Sequence, residues 1–206
     1  MANTKAGPAQ VILTILLALA LIWPGPSALA AGPMDMVKGL VEEVTQILND
    51  PALQAKSQQR QRAERVERVA DRCLDYQAMA QASLGDTWGT LKGAQRDEFV
   101  RLFRGLLRAS YACRLDEFAK AKVAYGEEKN QGQTAQAPIV IQRPNDKIPV
   151  TFLLHQQSEA WKVYDLVIDG VSVVQNYRAE FARMIQGASY PALVKALEHR
   201  LKAECE

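Results

Sequence analysis

The chain has few of the residues from which catalytic and metal centres are built. Only two of its 206 residues are histidine, and only three are cysteine. His155 and His199 stand on separate predicted elements, with no second ligand two or four residues away, so the spacing does not predict a metal site. The sequence also lacks a P-loop, a G-x-G-x-x-G motif and a G-x-S-x-G motif. We therefore predict a protein that is not an enzyme and that needs neither a cofactor nor a metal.

The three cysteines, Cys73, Cys113 and Cys205, do not form a C-x-x-C motif. Cys73 and Cys113 lie in helical segments that we expect to pack together. Two interpretations remain open, a Cys73–Cys113 disulfide or three separate thiols, because disulfide geometry is strict and a sequence does not test it.

Long hydrophobic runs are scarce as well. The one long run, residues 11–22, is almost entirely apolar, with Lys5 before it and Ala28-Leu29-Ala30 after it. This pattern predicts a secretory signal peptide at 1–30, cleaved after Ala30, and a single domain at 31–206. Twelve residues fall short of the ~20 that span a bilayer, although an uncleaved N-terminal anchor remains the alternative. A cleaved signal peptide implies export across the inner membrane.

The chain also lacks an excess of charge of one sign. It carries 25 basic and 23 acidic residues, and one of the basic residues, Lys5, lies in the predicted signal peptide. The near-neutral balance gives no reason to expect a nucleic-acid partner. Segment 56–72 concentrates arginine, but glutamate and aspartate are interleaved, which favours a solvated face over a docking site for acidic partners or lipid headgroups.

The order of hydrophobic patterns indicates an α+β fold. Helical spacing is seen at 37–48, 56–72, 76–84 and 95–118, and again at 172–186 and 191–202. Between them, alternation predicts four strands at 122–127, 134–142, 148–156 and 160–168, joined by short loops as in an antiparallel meander. We expect a curved four-stranded antiparallel sheet of the NTF2/cystatin-like type, with helices packed on one face around an apolar core.

That core is either solid or hollow, and pattern alone favours a solid one. A hollow core would suit acyl chains, since each buried CH₂ contributes about 0.8 kcal/mol. The residues expected to line such a cavity are Phe103, Leu106, Val150, Phe152, Leu154, Val163, Val167, Tyr177 and Phe181.

A strand, a turn and a helix start at 161–181 carry a family resemblance. The segment WKVYDLVIDGVSVVQNYRAEF resembles the signature of the MlaC-like, or toluene-tolerance, family of periplasmic phospholipid-binding proteins. Upstream, LDYQAMAQASLGDTW and QRDEFVRLFRGLL match the same family in order and spacing. The resemblance extends from about residue 37 to about residue 197.

The resemblance implies a soluble periplasmic carrier that holds phospholipid tails inside and leaves the headgroup outside. It also implies partners, namely an outer-membrane lipoprotein complex and an inner-membrane ABC transporter complex, between which lipid passes. The matching signature positions are Tyr164, Asp165, Gly170, Ser172, Tyr177 and Arg178. We assign Gly170 and Ser172 to the fold, and Tyr164 and Tyr177 to the pocket. Arg178 either meets a phosphate at the pocket mouth or pairs with an acidic neighbour.

Three alternatives stay open beside the phospholipid carrier. The first is the same fold carrying another lipid, such as a hopanoid. The second is a small periplasmic enzyme acting on an apolar ligand, for which Asp165 and His155 are the strand candidates. The third is an adaptor with a solid core, which would work through the arginine-rich segment between Arg60 and Arg72.

Overall fold

The computed structural model describes residues 32–112 and 115–202. The predicted signal peptide at 1–30 lies outside this part of the chain, as do Cys113, Cys205 and therefore the hypothesis of a Cys73–Cys113 disulfide. Cys73 itself is half-buried.

The α-helices of the described residues are α1 Pro33–Asn49, α2 Gln59–Cys73, α3 Tyr76–Leu84, α4 Thr87–Thr90, α5 Gly93–Ala112, α6 Val173–Gly187 and α7 Tyr190–Lys202. The strands are β1 Lys122–Tyr125, β2 Lys129–Asn130, β3 Thr134–Gln142, β4 Lys147–Gln157, β5 Ala160–Ile168 and β6 Val171–Ser172. Short 3₁₀ turns lie at Pro51–Leu53, Lys56–Gln58 and Leu115–Phe118.

Local signals explain where the helices begin and end. Pro51 cannot continue α1 and instead starts a 3₁₀ turn, whose Ala52 amide donates to the Asp50 carboxylate at 2.9 Å. Asp75 accepts from the Ala78 amide at 2.9 Å and so caps α3, which Gly85 closes with a φ of +57°. These side chains satisfy backbone groups that a helix end leaves unpaired.

The sheet is antiparallel throughout, in the order β1-β3-β4-β5-β6, with β2 paired to β3. The α+β class predicted from the sequence is confirmed. The described residues form six strands, however, where the sequence predicts four. The two additional strands, β2 and β6, contain two residues each, and so short a segment shows no alternation from which a strand can be recognised.

A β-bulge interrupts the pairing of β4 with β5. Leu154 lies opposite Val163, but Leu153 lies opposite Asp165, so Tyr164 is an extra residue on β5. Residues directly opposite each other share a face of the sheet. The bulge therefore reverses which side chains of β5 point to each face beyond Tyr164.

The buried side chains fall into two large clusters. The helical core consists of residues of α3 to α7 and of Leu91 between α4 and α5. Its buried members are Met79, Ala80, Leu84, Trp88, Leu91, Phe99, Leu102, Phe103, Leu106, Leu107, Val174, Tyr177, Phe181, Leu193 and Leu197. The sheet core lies between α1 and one face of the sheet, and its buried members are Met34, Val37, Ala135, Ala137, Ile139, Val150, Phe152, Leu154 and Val163. Leu74 packs against both cores, and its neighbour Asp75 donates its amide to the carbonyl of Val163 at 2.8 Å.

The helix that covers the sheet differs from the one expected. Phe103 and Leu106 of α5 were expected to line a cavity together with strand residues. In the structure α1 contributes the helical side chains of the sheet core, while α5 packs within the helical core. Periodicity shows that a helix has an apolar face but carries no information about what that face meets. None of the helices in the described ranges is long and apolar enough to cross a membrane.

Candidate functional site

A cavity of about 210 Å³ lies inside the sheet core, between α1 and strands β1, β3 and β4. We call it the α1 cavity. Its lining is apolar except for Thr45 and consists of Leu40, Val41, Val44, Thr45, Leu48, Phe118, Ala121, Val123, Ile139, Ile141, Val150 and Phe152. A space with such walls favours apolar groups over water, because its lining offers almost no hydrogen-bond partners.

Two periodicities produce this wall. Leu40, Val44 and Leu48 recur every four residues and therefore line one stripe of α1. Alternate residues of each strand point to the same face, which brings Ile139 and Val150 opposite each other across β3 and β4.

The cavity continues into a surface groove between α1 and β1, which we call the α1–β1 groove. Four residues line both spaces, and the groove adds three of its own, Glu42, Gln46 and Tyr125. The Tyr125 side chain is 38% exposed. Partial burial, and secondly the negative charge of Glu42, raise the pKa of Tyr125. The groove is thus the half-open edge of an otherwise apolar space.

Two of the residues predicted to bind the ligand, Val150 and Phe152, line the α1 cavity. Leu154 and Val163 belong to the same sheet core but lie outside the cavity wall. The other predicted aromatic and leucine residues are buried in the helical core instead, and these are Phe103, Leu106, Tyr177 and Phe181. The structure therefore does not bring the predicted set together around one space.

The bulge at Tyr164 separates Val167 from the cavity. Val163 shares a face with Leu154, whereas Val167 lies opposite Thr151, on the other face of the sheet. Tyr164 also lies on that other face, where its ring centroid is 5.5 Å from that of His155. Strict alternation, which the sequence analysis assumed, would have placed Val163 and Val167 on the same side.

Asp165 is 6% exposed and accepts three hydrogen bonds at the start of α6. Its carboxylate accepts from the Ser172 hydroxyl at 2.5 Å, from the Val174 amide at 3.0 Å and from the Leu166 amide at 2.7 Å. Ser172 in turn accepts from the Gln175 amide at 3.0 Å, as expected of an N-cap. Asp165 therefore joins β5 to α6 and does not face the α1 cavity.

His155, the other strand candidate for catalysis, also lies away from the cavity. Its Nε2 atom is 3.0 Å from Asp75 Oδ2, so the pair links β4 to the start of α3. His155 is the neighbour of Leu154 along β4 and therefore points to the opposite face of the sheet. No group of three or more potential metal-ligating side chains occurs within residues 32–112 and 115–202.

Arg178 belongs to α6, and its guanidinium lies against the C-terminal end of α3, outside both the α1 cavity and the α1–β1 groove. A Cβ atom on Gly85 would be 2.9 Å from Arg178 Nη2, so the guanidinium packs directly on this glycine. A side chain at position 85 is disfavoured for a second reason, the positive φ. Arg178 thus fits closely against the C-terminal end of α3.

Sequence reasoning missed most of the cavity wall. Leu40, Val44 and Leu48 were identified as one face of an amphipathic helix, but nothing in the sequence indicated that this face meets the sheet. Ile139 and Ile141 carry a usable signal, because β3 pairs with β4 and its alternating residues must share a face with Val150.

The arginine-rich face of α2 is largely paired. Arg60 is 3.0 Å from Glu64, Arg65 is 3.4 Å from Asp50, and Arg72 donates to Glu43. Arg62 is 2% exposed and donates to the Leu53 carbonyl at 2.7 Å. The interpretation as a solvated face with interleaved charges is therefore confirmed only for the Arg60–Glu64 pair, because Arg65 and Arg72 pair with residues outside 56–72 and Arg62 is buried.

An antiparallel sheet that packs against α1, with an apolar cavity between them, defines the chain as an α+β protein. The family model described as "MlaC protein" matches residues 38–199, and the chain belongs to the MlaC family. The resemblance seen in the 161–181 signature is thereby confirmed.

One solved structure is similar to this chain over most of its length. It is the phospholipid-binding protein from Ralstonia solanacearum, solved in complex with a phospholipid. The two chains share 21% sequence identity, with a TM-score of 0.74, over 84% of this chain and 98% of the other. At this level of identity the match supports the same fold.

Proposed function

We propose that this protein is a periplasmic carrier that holds phospholipid acyl chains in the α1 cavity. In this role it shuttles lipid between an outer-membrane lipoprotein complex and an inner-membrane ABC transporter complex, and it catalyses no reaction. The α1 cavity is the observation that carries the proposal, because eleven of the twelve described residues that line it are apolar. Membership of the MlaC family and the fold shared with a phospholipid complex support it.

Binding of a lipid requires this cavity to widen. Its 210 Å³ correspond to about seven water volumes, whereas pockets for drug-sized ligands occupy about 300–1,000 Å³. The half-buried residues Val41 and Val123 line both the cavity and the α1–β1 groove, and so form the side that leads from one to the other. We therefore propose that acyl chains enter along this side and separate α1 from β1.

The set of ligand-binding residues that we propose differs from the set expected from the sequence. Val150 and Phe152 remain as direct contacts, and the α1 and β3 residues of the cavity wall join them. Leu154 and Val163 support that wall from within the sheet core. Asp165 and His155 do not face the cavity, which favours a carrier over an enzyme that acts on an apolar ligand.

Native mass spectrometry of the purified protein, with lipid extraction of the same sample, tests the proposal. We expect a bound mass that resolves into diacyl phospholipids. A bound hopanoid or another lipid class would support the carrier function but identify a different cargo. A mass without lipid that stays unchanged after incubation with phospholipid vesicles would contradict the proposal.

A cavity-filling variant locates the site. Val44→Phe adds a ring to the cavity wall, and displacing about two chain methylenes at about 0.8 kcal/mol each predicts a roughly tenfold weaker affinity for lipid. Val194→Phe is the matched control, because Val194 is also a half-buried helical valine but packs against the helical core. Equal lipid uptake by the two variants would place the acyl chains elsewhere.

A further inference from the structure

The proposed function does not specify the lipid headgroup. The residues of the α1–β1 groove indicate which headgroup the protein would prefer. The groove is where the apolar cavity reaches the surface, so a lipid whose tails occupy the cavity would have its headgroup there. Among the described residues that line the groove, only Glu42 carries a charge. Tyr125 is the only aromatic residue among them and exposes 38% of its surface.

The cations nearest in the chain do not line this groove. Lys38, one turn before Glu42 on α1, lies 3.7 Å from Asp35. Lys122 alternates with Val123, whose side chain lines the groove, so the Lys122 side chain points to the other face of the sheet. Lys120 lines neither the groove nor the cavity. The one arginine expected at the mouth from the sequence, Arg178, lies on Gly85 at the end of α3.

Glu42 is available for a ligand. It is exposed, and no ion pair of Glu42 occurs in the described part of the chain, whereas the adjacent Glu43 is paired with Arg72. The negative charge of Glu42 interacts with the Tyr125 hydroxyl and, after burial, is the second cause of its raised pKa. Glu42 and Tyr125 also line the same groove, one from α1 and the other from β1.

We infer that Glu42 and Tyr125 form a recognition site for the ammonium group of a zwitterionic phospholipid headgroup. This inference rests on the proposed function and names its substrate class. A carboxylate attracts an ammonium group, and an aromatic face adds a cation–π contact. A headgroup with no positive charge would bring only its phosphate to the groove, where Glu42 repels it.

The size of the effect follows from the exposure of the site. Exposed ion pairs and exposed cation–π contacts are each weak, so together they predict about a threefold to tenfold preference for the zwitterionic headgroup. The ionic part of the preference must decrease as the salt concentration rises, because exposed charges are screened.

A competition between two lipids with identical acyl chains tests the inference. The purified protein is incubated with vesicles that contain equal amounts of phosphatidylethanolamine and phosphatidylglycerol, and the bound lipids are quantified by mass spectrometry. Because both lipids are in the same vesicle, the surface charge is the same for each. We expect about threefold to tenfold more phosphatidylethanolamine than phosphatidylglycerol in the protein, and less enrichment at high salt.

Three variants assign the preference to the groove. Glu42→Gln should reduce it to about twofold, Glu42→Lys should reverse it, and Tyr125→Leu should weaken it while leaving its salt dependence. Glu43→Gln is the matched control and should leave the preference unchanged, because Glu43 lies outside the groove.

The possible failures are distinct. Uptake of both lipids in the vesicle ratio, or a preference that survives Glu42→Lys, would overturn the headgroup site and leave the carrier intact. Uptake of neither lipid would overturn the proposed function itself.

Discussion

The helical core and the sheet core meet at Leu74 but are packed in different ways. In the helical core the rings of Phe99, Phe103, Tyr177 and Phe181 contact one another, with centroids 5.5–6.3 Å apart in both stacked and edge-on pairs. In the sheet core a single helix covers strand residues and leaves about 210 Å³ unfilled. Hydrophobic patterning therefore determines which side chains are buried, but not whether the space among them is full.

The difference can be tested with substitutions whose expected effects run from large to small. The largest belongs to the helical core, where Phe103 is fully buried among other rings. Phe103→Ala should lower the free energy of unfolding by about 4 kcal/mol, because both the apolar contact and the packing around it are lost. Urea unfolding measures the loss. A decrease below about 1 kcal/mol would show that this core is also loosely packed.

The second prediction concerns the connection between the two cores. Asp165→Ala removes the acceptor of three hydrogen bonds and leaves the Val174 amide without this partner, so we expect a loss of about 3 kcal/mol. Ser172→Ala removes the N-cap acceptor and one of the three donors to Asp165, and should cost about 2 kcal/mol. Urea unfolding of both variants measures the two losses in the free energy of unfolding, which can then be compared. Equal losses would contradict the assignment of Asp165 as the main link between β5 and α6.

The third prediction is the counterpart of the first in the sheet core. Phe152 is 8% exposed and borders the α1 cavity, so its ring already lacks neighbours on one side. Phe152→Ala should therefore cost about 2 kcal/mol, about half of the loss expected for Phe103→Ala. The comparison by urea unfolding uses protein freed of lipid. A loss as large as that of Phe103→Ala would mean that the cavity is not a true packing defect.

The smallest effect is expected beside both cores, at Tyr111. Its hydroxyl is buried and has no hydrogen-bond partner in the described ranges, so Tyr111→Phe should change stability at pH 7 by less than about 1 kcal/mol. Burial, followed by the charges of Glu67 and Asp71, raises the pKa of Tyr111 to about 12, above the value near 10 of an unfolded chain.

The sign of the pH dependence follows from that shift. The folded state keeps Tyr111 neutral, so the stability it contributes is complete below about pH 10 and is lost as the pH rises towards about 12. Tyr111→Phe should flatten this alkaline loss in thermal unfolding. The flattening should be partial, because burial also raises the pKa of Tyr76. An unchanged alkaline profile would argue against a buried hydroxyl at Tyr111.

Local signals made much of the fold predictable. The bounds of β3 and β5 agree with the predicted 134–142 and 160–168, because each is a run of strand-forming residues ended by turn residues. The helix predicted at 172–186 agrees with α6, whose N-cap residue Ser172 accepts from the Gln175 backbone amide. Asp169 and Gly170 both have positive φ, as the predicted turn requires.

Long-range arrangement was not predictable in the same way. The stripe of α1 and that of α5 are both apolar, and a periodic pattern does not tell which of them lies on the sheet. The bulge at Tyr164 was also invisible, because it depends on how β5 pairs with β4 and not on β5 alone. For these two reasons the predicted ligand set combined residues of two separate cores.

The extra residue at Tyr164 has a consequence for how proteins of this family should be aligned. If β5 alternated strictly from Val163 onward, Asp165 would point to the face of Val163 and Phe152, and the sheet core would contain a carboxylate. With the extra residue, that carboxylate is turned towards the start of α6. A relative that is one residue shorter at this point would keep both side chains in their present surroundings. A one-residue gap at Tyr164 in an alignment is therefore compatible with an unchanged sheet core, whereas a gap at Leu166 is not, because it would bring Asp165 opposite Phe152.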